Sequence, residues 1–292
     1  MKPMWKALKR HRYAYLFISP YLILFLVFQL VPTVSTIYYS FTEWNGLRPP
    51  RWIGWRNYQL MFRDYMFRDA VRNTFLYWIV GTIGIMTLAM GIALALNTKK
   101  LRLKHFFKTA TFLPYVCASV AMGLIFRMLF EEHVGLVNEI IALFGGERVP
   151  WLASSKYAWF PVVTLFIWRL TPWFTMIILS GLLNISEEYY EAALVDGAST
   201  WQRFVHITLP LLGNILFFCF ITITVDAWRI FNESYVLSGP GTSNTSLFEL
   251  MYRSAFTNFR LGYGSALGVV LVVILLALSL IQFVVRRRTG EI

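Results

Sequence analysis

The chain is 292 residues long, 57% hydrophobic and only 14% charged, with 27 Lys and Arg against 15 Asp and Glu and a formal net charge of +12. So apolar a composition excludes a soluble globular protein of this length and places the chain in a membrane. The basic excess then speaks of membrane topology and anionic lipid headgroups, not of nucleic acid, for which no binding motif is present.

The amino terminus carries Lys2, Lys6, Lys9, Arg10 and Arg12 ahead of an apolar run over about residues 14–38. A spanning helix needs about 20 predominantly apolar residues. This run is too long for the apolar part of a secretory signal, and no small-residue cleavage site follows it, so it reads as a retained first span. Residues 39–73 then interleave Arg48, Arg51, Arg56, Arg63, Arg68 and Arg72 with Trp52, Trp55, Tyr58 and Phe67 and with Asp64 and Asp69. That mixture predicts a helix at the outer interface.

A second span at about 74–97 and a third at about 109–130 enclose the tight basic stretch Lys99-Lys100-Leu101-Arg102-Leu103-Lys104. Basic residues in short loops favour the cytoplasm. Threading six spans puts the amino-terminal tail, this loop and Arg286-Arg287-Arg288 on one side, so both termini are expected to be cytoplasmic. Parity places residues 39–73 outside, because the Lys99 to Lys108 loop is denser in charge. Arg127, near the end of the third span, reads as snorkelling to the outer interface.

The fourth span, at about 157–183, contains Arg169 beside Trp168, followed by Thr171, Pro172 and Trp173. An ionised residue at a helix centre costs ~2.5–3.5 kcal/mol on insertion scales and usually faces protein or an aqueous cavity. Pro172 loosens the helix, which is tolerated where protein or water satisfies the freed backbone groups. A structural ion pair and a place on a solute path are both open for Arg169.

Between the fourth span and a fifth at about 211–235 lies a polar segment, about 184–210. Ser186 caps a first helix with Glu187 and Glu188 in its opening turn. Gly197 ends that helix in the left-handed conformation. Ser199 and Gln202 form a capping box that starts a second helix, bringing Trp201, Phe204 and Val205 onto one face. Pro210 is expected to close this helix and open the next. The product is a short, partly apolar helix-turn-helix exposed between two spans.

In the fifth span, Asp226 and Arg229 are three apart and can pair along one helical face, with Trp228 and Asn232 close by. Together with Arg169 and Trp173 they suit a carbohydrate path, since sugars are held by polar hydrogen bonds and by stacking on aromatic rings. They equally suit a self-satisfied salt bridge. A sixth span falls at about 264–285. Cys117 and Cys219 lie inside spans and read as packing residues, and the 4 histidines offer no metal-ligand spacing. Leu237-Ser238-Gly239-Pro240-Gly241 looks like the signature of an ABC ATPase, but the chain has no G-x-x-x-x-G-K-[ST] loop, H-E-x-x-H or G-x-S-x-G pattern. An enzyme is therefore not expected, and no catalytic or metal residue is assigned.

Glu191-Ala192-Ala193, then Gly197, then Ile207, Leu209 and Pro210 follow the spacing E-A-A, three residues, G, nine residues, I-x-L-P. This resembles the cytoplasmic loop by which the membrane subunits of binding-protein-dependent ABC importers grip their ATPases. Gly54-Trp55-Arg56-Asn57-Tyr58, Asn73-Thr74, Phe112-Leu113-Pro114-Tyr115, and the stretch from Tyr235-Val236-Leu237 through Tyr252-Arg253, Ala255-Phe256, Gly262-Tyr263 and Ala266 are similar, in order, to elements of the carbohydrate-importer permeases, the group that includes maltose and glycerol-phosphate transport. Two departures stand out. Ser238-Gly239-Pro240-Gly241 replaces their usual Gly-Gly-Gly-Pro, and the large external domain of the maltose-type subunit is absent.

The resemblance implies an all-α, polytopic, six-span fold like that of type I ABC importer permeases, with residues 1–292 as one transmembrane domain. It implies half of a translocation pathway for a sugar, oligosaccharide or polyol, in a bacterial or archaeal cytoplasmic membrane. Glu191, Ala192, Ala193, Asp196, Gly197, Trp201, Phe204, Ile207, Leu209 and Pro210 would couple the chain to its ATPases. The implied partners are a second, similar permease subunit, two ATPase subunits and an extracytoplasmic solute-binding protein, besides the lipid bilayer. ATP and Mg would be used by the ATPases and not bound by this chain. The competing class is an ion-gradient-driven secondary transporter, whose internal inverted repeats are not evident here.

Overall fold

Pro20 and Pro32 lie inside the first apolar run, and neither ends it. Helix α1 covers Arg12–Phe25, widens into a π turn at Leu26–Leu30 and continues as Val31–Ser40. The Val31 N–H reaches back five residues to the Leu26 carbonyl, loosening the ladder just where the Pro32 ring crowds it and withholds a donor. The computed structural model describes residues 12–98 and 101–288. Lys2, Lys6, Lys9, Arg10, Lys99 and Lys100, on which the expected topology partly rests, lie outside the described residues.

The described residues group into two units. The first takes the chain up to Arg63 together with Met251–Val270. After α1, a short antiparallel hairpin joins β1 (Thr42–Glu43) to β2 (Arg51–Trp52), with Thr42 opposite Trp52 and Glu43 opposite Arg51. Helix α2 (Arg56–Arg63) follows, as the aromatic and basic mixture predicts. From it the buried Asn57 donates through Nδ2 to the carbonyls of Ser40 and Thr42, 2.9 Å each, satisfying acceptors that the end of α1 leaves open. The Gly262 N–H donates to the Trp44 carbonyl at 3.1 Å, and a Cβ there would sit 2.0 Å from the Thr42 carbonyl oxygen, so glycine is required.

The second unit takes Asp64–Leu250 and the chain from Leu271. It contains α3 (Tyr65–Asn97), α4 (Lys104–Val116), α5 (Ser119–Leu129), α6 (Leu136–Leu143), α7 (Trp159–Leu183), α8 (Glu187–Val195), α9 (Thr200–Arg203, continuing through a π turn at Phe204–Thr208 into Leu209–Leu211), α10 (Gly213–Trp228) and α11 (Asn232–Val236). Helices α12 (Leu247–Tyr252) and α13 (Leu261–Arg288) give residues to both units.

Helix α7 is apolar on every side and is the buried centre of this unit, with Phe166, Leu170, Phe174, Ile178 and Leu182 packed against Tyr77, Ile85, Ala89 and Ala93 of α3. The seam is close because α3 presents glycines: a Cβ at Gly81 would lie 2.7 Å from the Phe166 ring and one at Gly84 2.5 Å from Ile167. Lipid tails are as apolar as leucine, so close packing of small residues drives helix association in a membrane where hydrophobicity does not.

Two polar arrangements fix this unit further. The buried Thr224 hydroxyl accepts from Trp78 Nε1 at 2.9 Å and from Gln282 Nε2 at 2.8 Å while donating to the Phe220 carbonyl, joining α3, α10 and α13 at one point. The loop after α11 is fastened to the start of α3. Asn73 Nδ2 donates to the carbonyls of Thr242 and Thr245, Thr242 Oγ1 donates to Asp69, Thr74 Oγ1 accepts the Leu247 N–H, and Tyr77 donates to the Asn244 carbonyl. Asn244 completes the loop by accepting the Gly239 N–H and donating to the carbonyls of Ala158 and Leu237.

The all-α polytopic architecture agrees with expectation, and several boundaries do not. Among the described residues five helices are long and apolar enough to cross a membrane, or six if the pair α4 and α5, bent by 92°, forms one span. The expected straight third span at 109–130 is therefore broken. Cys117 and Ala118 are extended, Pro114 withholds a donor just before them, and Gly123 of α5 meets Val236 of α11, where a Cβ would come within 2.9 Å. Helix α3 begins at Tyr65, nine residues before the expected 74, because the Asp64 side chain caps it by accepting the Met66 N–H at 2.9 Å. The expected span 211–235 stops being helical at Trp228 and restarts at Asn232. Pro210 does not end its helix, which runs on to Leu211.

Candidate functional site

The segment from Ser186 to Leu211 is built as its residues dictate. Ser186 Oγ accepts the Glu188 N–H at 3.3 Å, opening α8. At the other end Gly197 has φ +75, the Gly197 N–H donates to Leu194 at 3.1 Å, and the Ala198 N–H donates to Ala193 at 2.9 Å. This is the paired 6→1 and 5→2 closure of a Schellman motif, for which a left-handed residue is needed. Ser199 and Gln202 then cap α9 reciprocally, side chain to backbone in both directions. Tyr190 and Thr208 hydroxyls meet at 3.0 Å, tying the two helices together.

The surface so formed is apolar at its tip and charged around it. Leu194, Val195 and Trp201 are 60%, 87% and 70% exposed, and Glu191, Ala192, Asp196 and Pro210 are exposed as well. Phe204, whose ring lies 5.6 Å from that of Trp201, is half-buried, as are Ala193, Ile207 and Leu209. Sequence reasoning missed Arg203. It lines both a hollow of about 290 Å³ beside Gly197 and an apolar one of about 690 Å³ beside Trp201, with its Nε buried and without a hydrogen-bond partner.

A second site lies between the helices of the same unit. A cavity of about 250 Å³ is lined by Tyr115, Arg169, Trp173, Asp226, Arg229, Asn232 and Glu233 among others. Arg169 donates from Nε to Glu233 Oε1 at 2.8 Å, and its Nη2 stands 2.6 Å from the same oxygen. Trp173 stacks on Tyr115 with ring centroids 5.1 Å apart, and Asn232 Nδ2 donates to Ser119 Oγ at 2.9 Å. Arg169 thus makes an ion pair with Glu233 and at the same time lines the cavity.

Asp226 and Arg229, whose spacing allows them to pair along a helix face, form no ion pair within 4.0 Å. Arg229 caps the end of α10, its N–H donating to the Asp226 carbonyl at 3.1 Å, and both side chains line the cavity without forming a salt bridge to each other. Trp228 does not line the cavity. It is buried among the helices with its Nε1 unpartnered. Glu233 was overlooked because its partner lies 64 residues away. No group of three or more His, Cys, Asp or Glu side chains suited to a metal occurs among the described residues.

Comparison with known proteins agrees with this geometry. Residues 87–291 match the model of the family described as binding-protein-dependent transport system inner membrane component. A probable ABC transporter permease of Bacillus subtilis is 32% identical over 274 residues, covering 92% of this chain and 94% of that one. The trehalose/maltose transport system permease of Thermococcus litoralis is 33% identical over 281 residues, covering 94% and 93%. Among solved structures, a bacterial ABC transporter involved in the import of the acidic polysaccharide alginate shares the fold, with a TM-score of 0.83, 23% identity and coverage of 98% of this chain and 99% of that one.

Proposed function

The chain belongs to the family of binding-protein-dependent transport system inner membrane components, and from that premise we propose that it forms half of the translocation pathway of an ATP-driven importer of a sugar, oligosaccharide or polyol. The names of the relatives support the solute class: alongside the trehalose/maltose permease stands an arabinooligosaccharide permease of Bacillus subtilis, 33% identical over 274 residues. The stacked Trp173 and Tyr115 and the polar groups around them support it physically, since they offer the ring faces and hydrogen bonds that carbohydrates need. An ion-gradient-driven transporter has no comparable support.

In this reading the chain pairs with a second permease subunit, receives solute from an extracytoplasmic binding protein and docks two ATPase subunits that bind ATP and Mg. The chain itself hydrolyses nothing. Both termini and the Ser186 to Leu211 segment face the cytoplasm. Closure of the ATPases on nucleotide pushes that segment and shifts the spans between inward-open and outward-open states. The solute path needs only different affinities in the two states.

The observation that carries this reading is the exposed, rigidly closed turn at Gly197 with Leu194, Val195 and Trp201 standing out of it. Glu191→Lys and Trp201→Ala test it, because both side chains are largely exposed. Each variant should insert and remain folded, yet lose ATPase copurification by roughly tenfold or more, as buried aromatic anchors do at interfaces, and ATP-driven uptake in vesicles should fall with it. Wild-type retention and uptake in both variants would falsify the docking assignment.

A further inference from the structure

The first unit holds a cavity that the transport reading does not use. It measures about 680 Å³, and its lining includes Arg48, Arg51, Arg56 and Arg260 against the single carboxylate of Glu43. Glu43 does little to neutralise them. Its one ion pair, to Arg51, is 4.0 Å long between side chains that are both exposed, and such pairs contribute little. Arg48 and Arg56 have no carboxylate partner among the described residues. Arg260 lies over the Tyr263 ring at 4.5 Å, a contact that occupies one face of the guanidinium and leaves its in-plane donors for an anion. Asn45 accepts the N–H groups of Leu47 and Arg48, holding the loop that carries Arg48.

The chain itself fixes the depth of this cavity. Its walls at Thr42 and Glu43 begin two residues beyond Ser40, where the first span ends, and Phe259 and Arg260 immediately precede Leu261, where the last span begins. The first span and the first-unit end of the last one thus stop at its rim, the level at which lipid headgroups are expected. The surrounding side chains are those of a membrane interface. Trp52 and Trp55 are 60% and 65% exposed and pack on Phe41 at 5.4 and 5.0 Å, forming the aromatic belt expected at that depth.

We propose that this cavity binds the phosphate of an anionic phospholipid headgroup. Guanidinium forks match phosphate oxygens bidentately, and arginines with apolar neighbours at the interface snorkel toward just that group. The proposal requires only that the chain spans a membrane and does not rest on the solute or on ATPase coupling.

The test is native mass spectrometry of the purified full-length chain after exchange into dioleoylphosphatidylglycerol or dioleoylphosphatidylcholine. The wild type should retain the glycerol lipid in preference to the choline lipid. Arg48→Gln, Arg56→Gln and Arg260→Gln should each weaken that retention by about fivefold, the worth of one basic residue near an anionic surface. Arg63→Gln, on α2 but outside the cavity, should change nothing. Arg→Lys at the same three positions, which keeps the charge and loses the fork, should bind more weakly than wild type and better than the matching Gln variant, and it keeps the test readable even where a neutral variant fails to fold. Equal retention by wild type and all three neutral variants overturns the proposal. Displacement of the lipid by millimolar inorganic phosphate overturns the lipid assignment in favour of a free anion. Normal lipid retention with weakened capture of a soluble acidic protein would assign the arginines to a protein partner.

Discussion

Arg169 in the middle of α7 holds a single oxygen of Glu233, at the start of α11, with two of its nitrogens, at 2.6 and 2.8 Å. Glu233 is almost wholly buried, its side chain 3% exposed against 24% for Arg169. Removing one partner leaves an uncompensated charge away from water, which costs about 3–5 kcal/mol, whereas removing both leaves none.

Glu233→Gln and Arg169→Met should therefore each lower the thermal unfolding midpoint of the purified protein substantially. The double variant should recover most of the loss. Additive losses in the double variant would show that the two side chains do not act as a pair.

At Gly197 a Cβ meets nothing within 4 Å, so a substitution there is penalised by its φ of +75 alone. Gly197→Asn should be tolerated, Gly197→Ala should cost about 1–2 kcal/mol, and Gly197→Val should cost more. ATP-driven uptake in vesicles should fall in the same order while membrane insertion is unchanged. Equal uptake by the Asn and Val variants would mean that the turn's geometry is irrelevant to transport.

Asn244 satisfies three backbone groups of its loop and its neighbour, and Thr74 satisfies a fourth. Asn244→Ala strands partly buried donors and acceptors at about 1–3 kcal/mol each. The segment from Gly239 to Leu247 should become the first site of cleavage under limited proteolysis in Asn244→Ala and, less markedly, in Thr74→Val. Cleavage at wild-type rates would show that the loop is held by other contacts.

Topology is read best at side chains that stand clear of the fold. Leu47 and Val195 are both 87% exposed, and Leu103 is 73% exposed. In intact cells Leu47→Cys should react with an impermeant thiol reagent, while Leu103→Cys and Val195→Cys should react only after permeabilisation. Labelling of all three alike would overturn the placing of these loops on opposite sides of the membrane.

The helix-turn-helix at Gly197 was legible because every signal in it is local: a serine cap, a glycine, and a Ser199–Gln202 box four residues long. Asn57 and the Asn73-Thr74 pair were legible only as a pattern, since their hydrogen-bond partners lie at Ser40 and Thr42 and beyond Thr242. The bend at Cys117 was invisible because apolarity continues straight through it while the packing of Gly123 on Val236, more than a hundred residues apart, decides the path. The break after Trp228 was missed for a related reason: hydropathy carries the helix on, while the backbone leaves the helical conformation at Arg229.

Thr224 has one hydrogen and two lone pairs, and all three are committed. Water is scarce at that depth, so α3, α10 and α13 cannot slide past one another there without stranding the indole of Trp78 and the amide of Gln282. Small rotations about that point bend the three bonds, whereas sliding breaks them. Thr224 thus pins α3, α10 and α13 against sliding at that point more firmly than against small pivots about it.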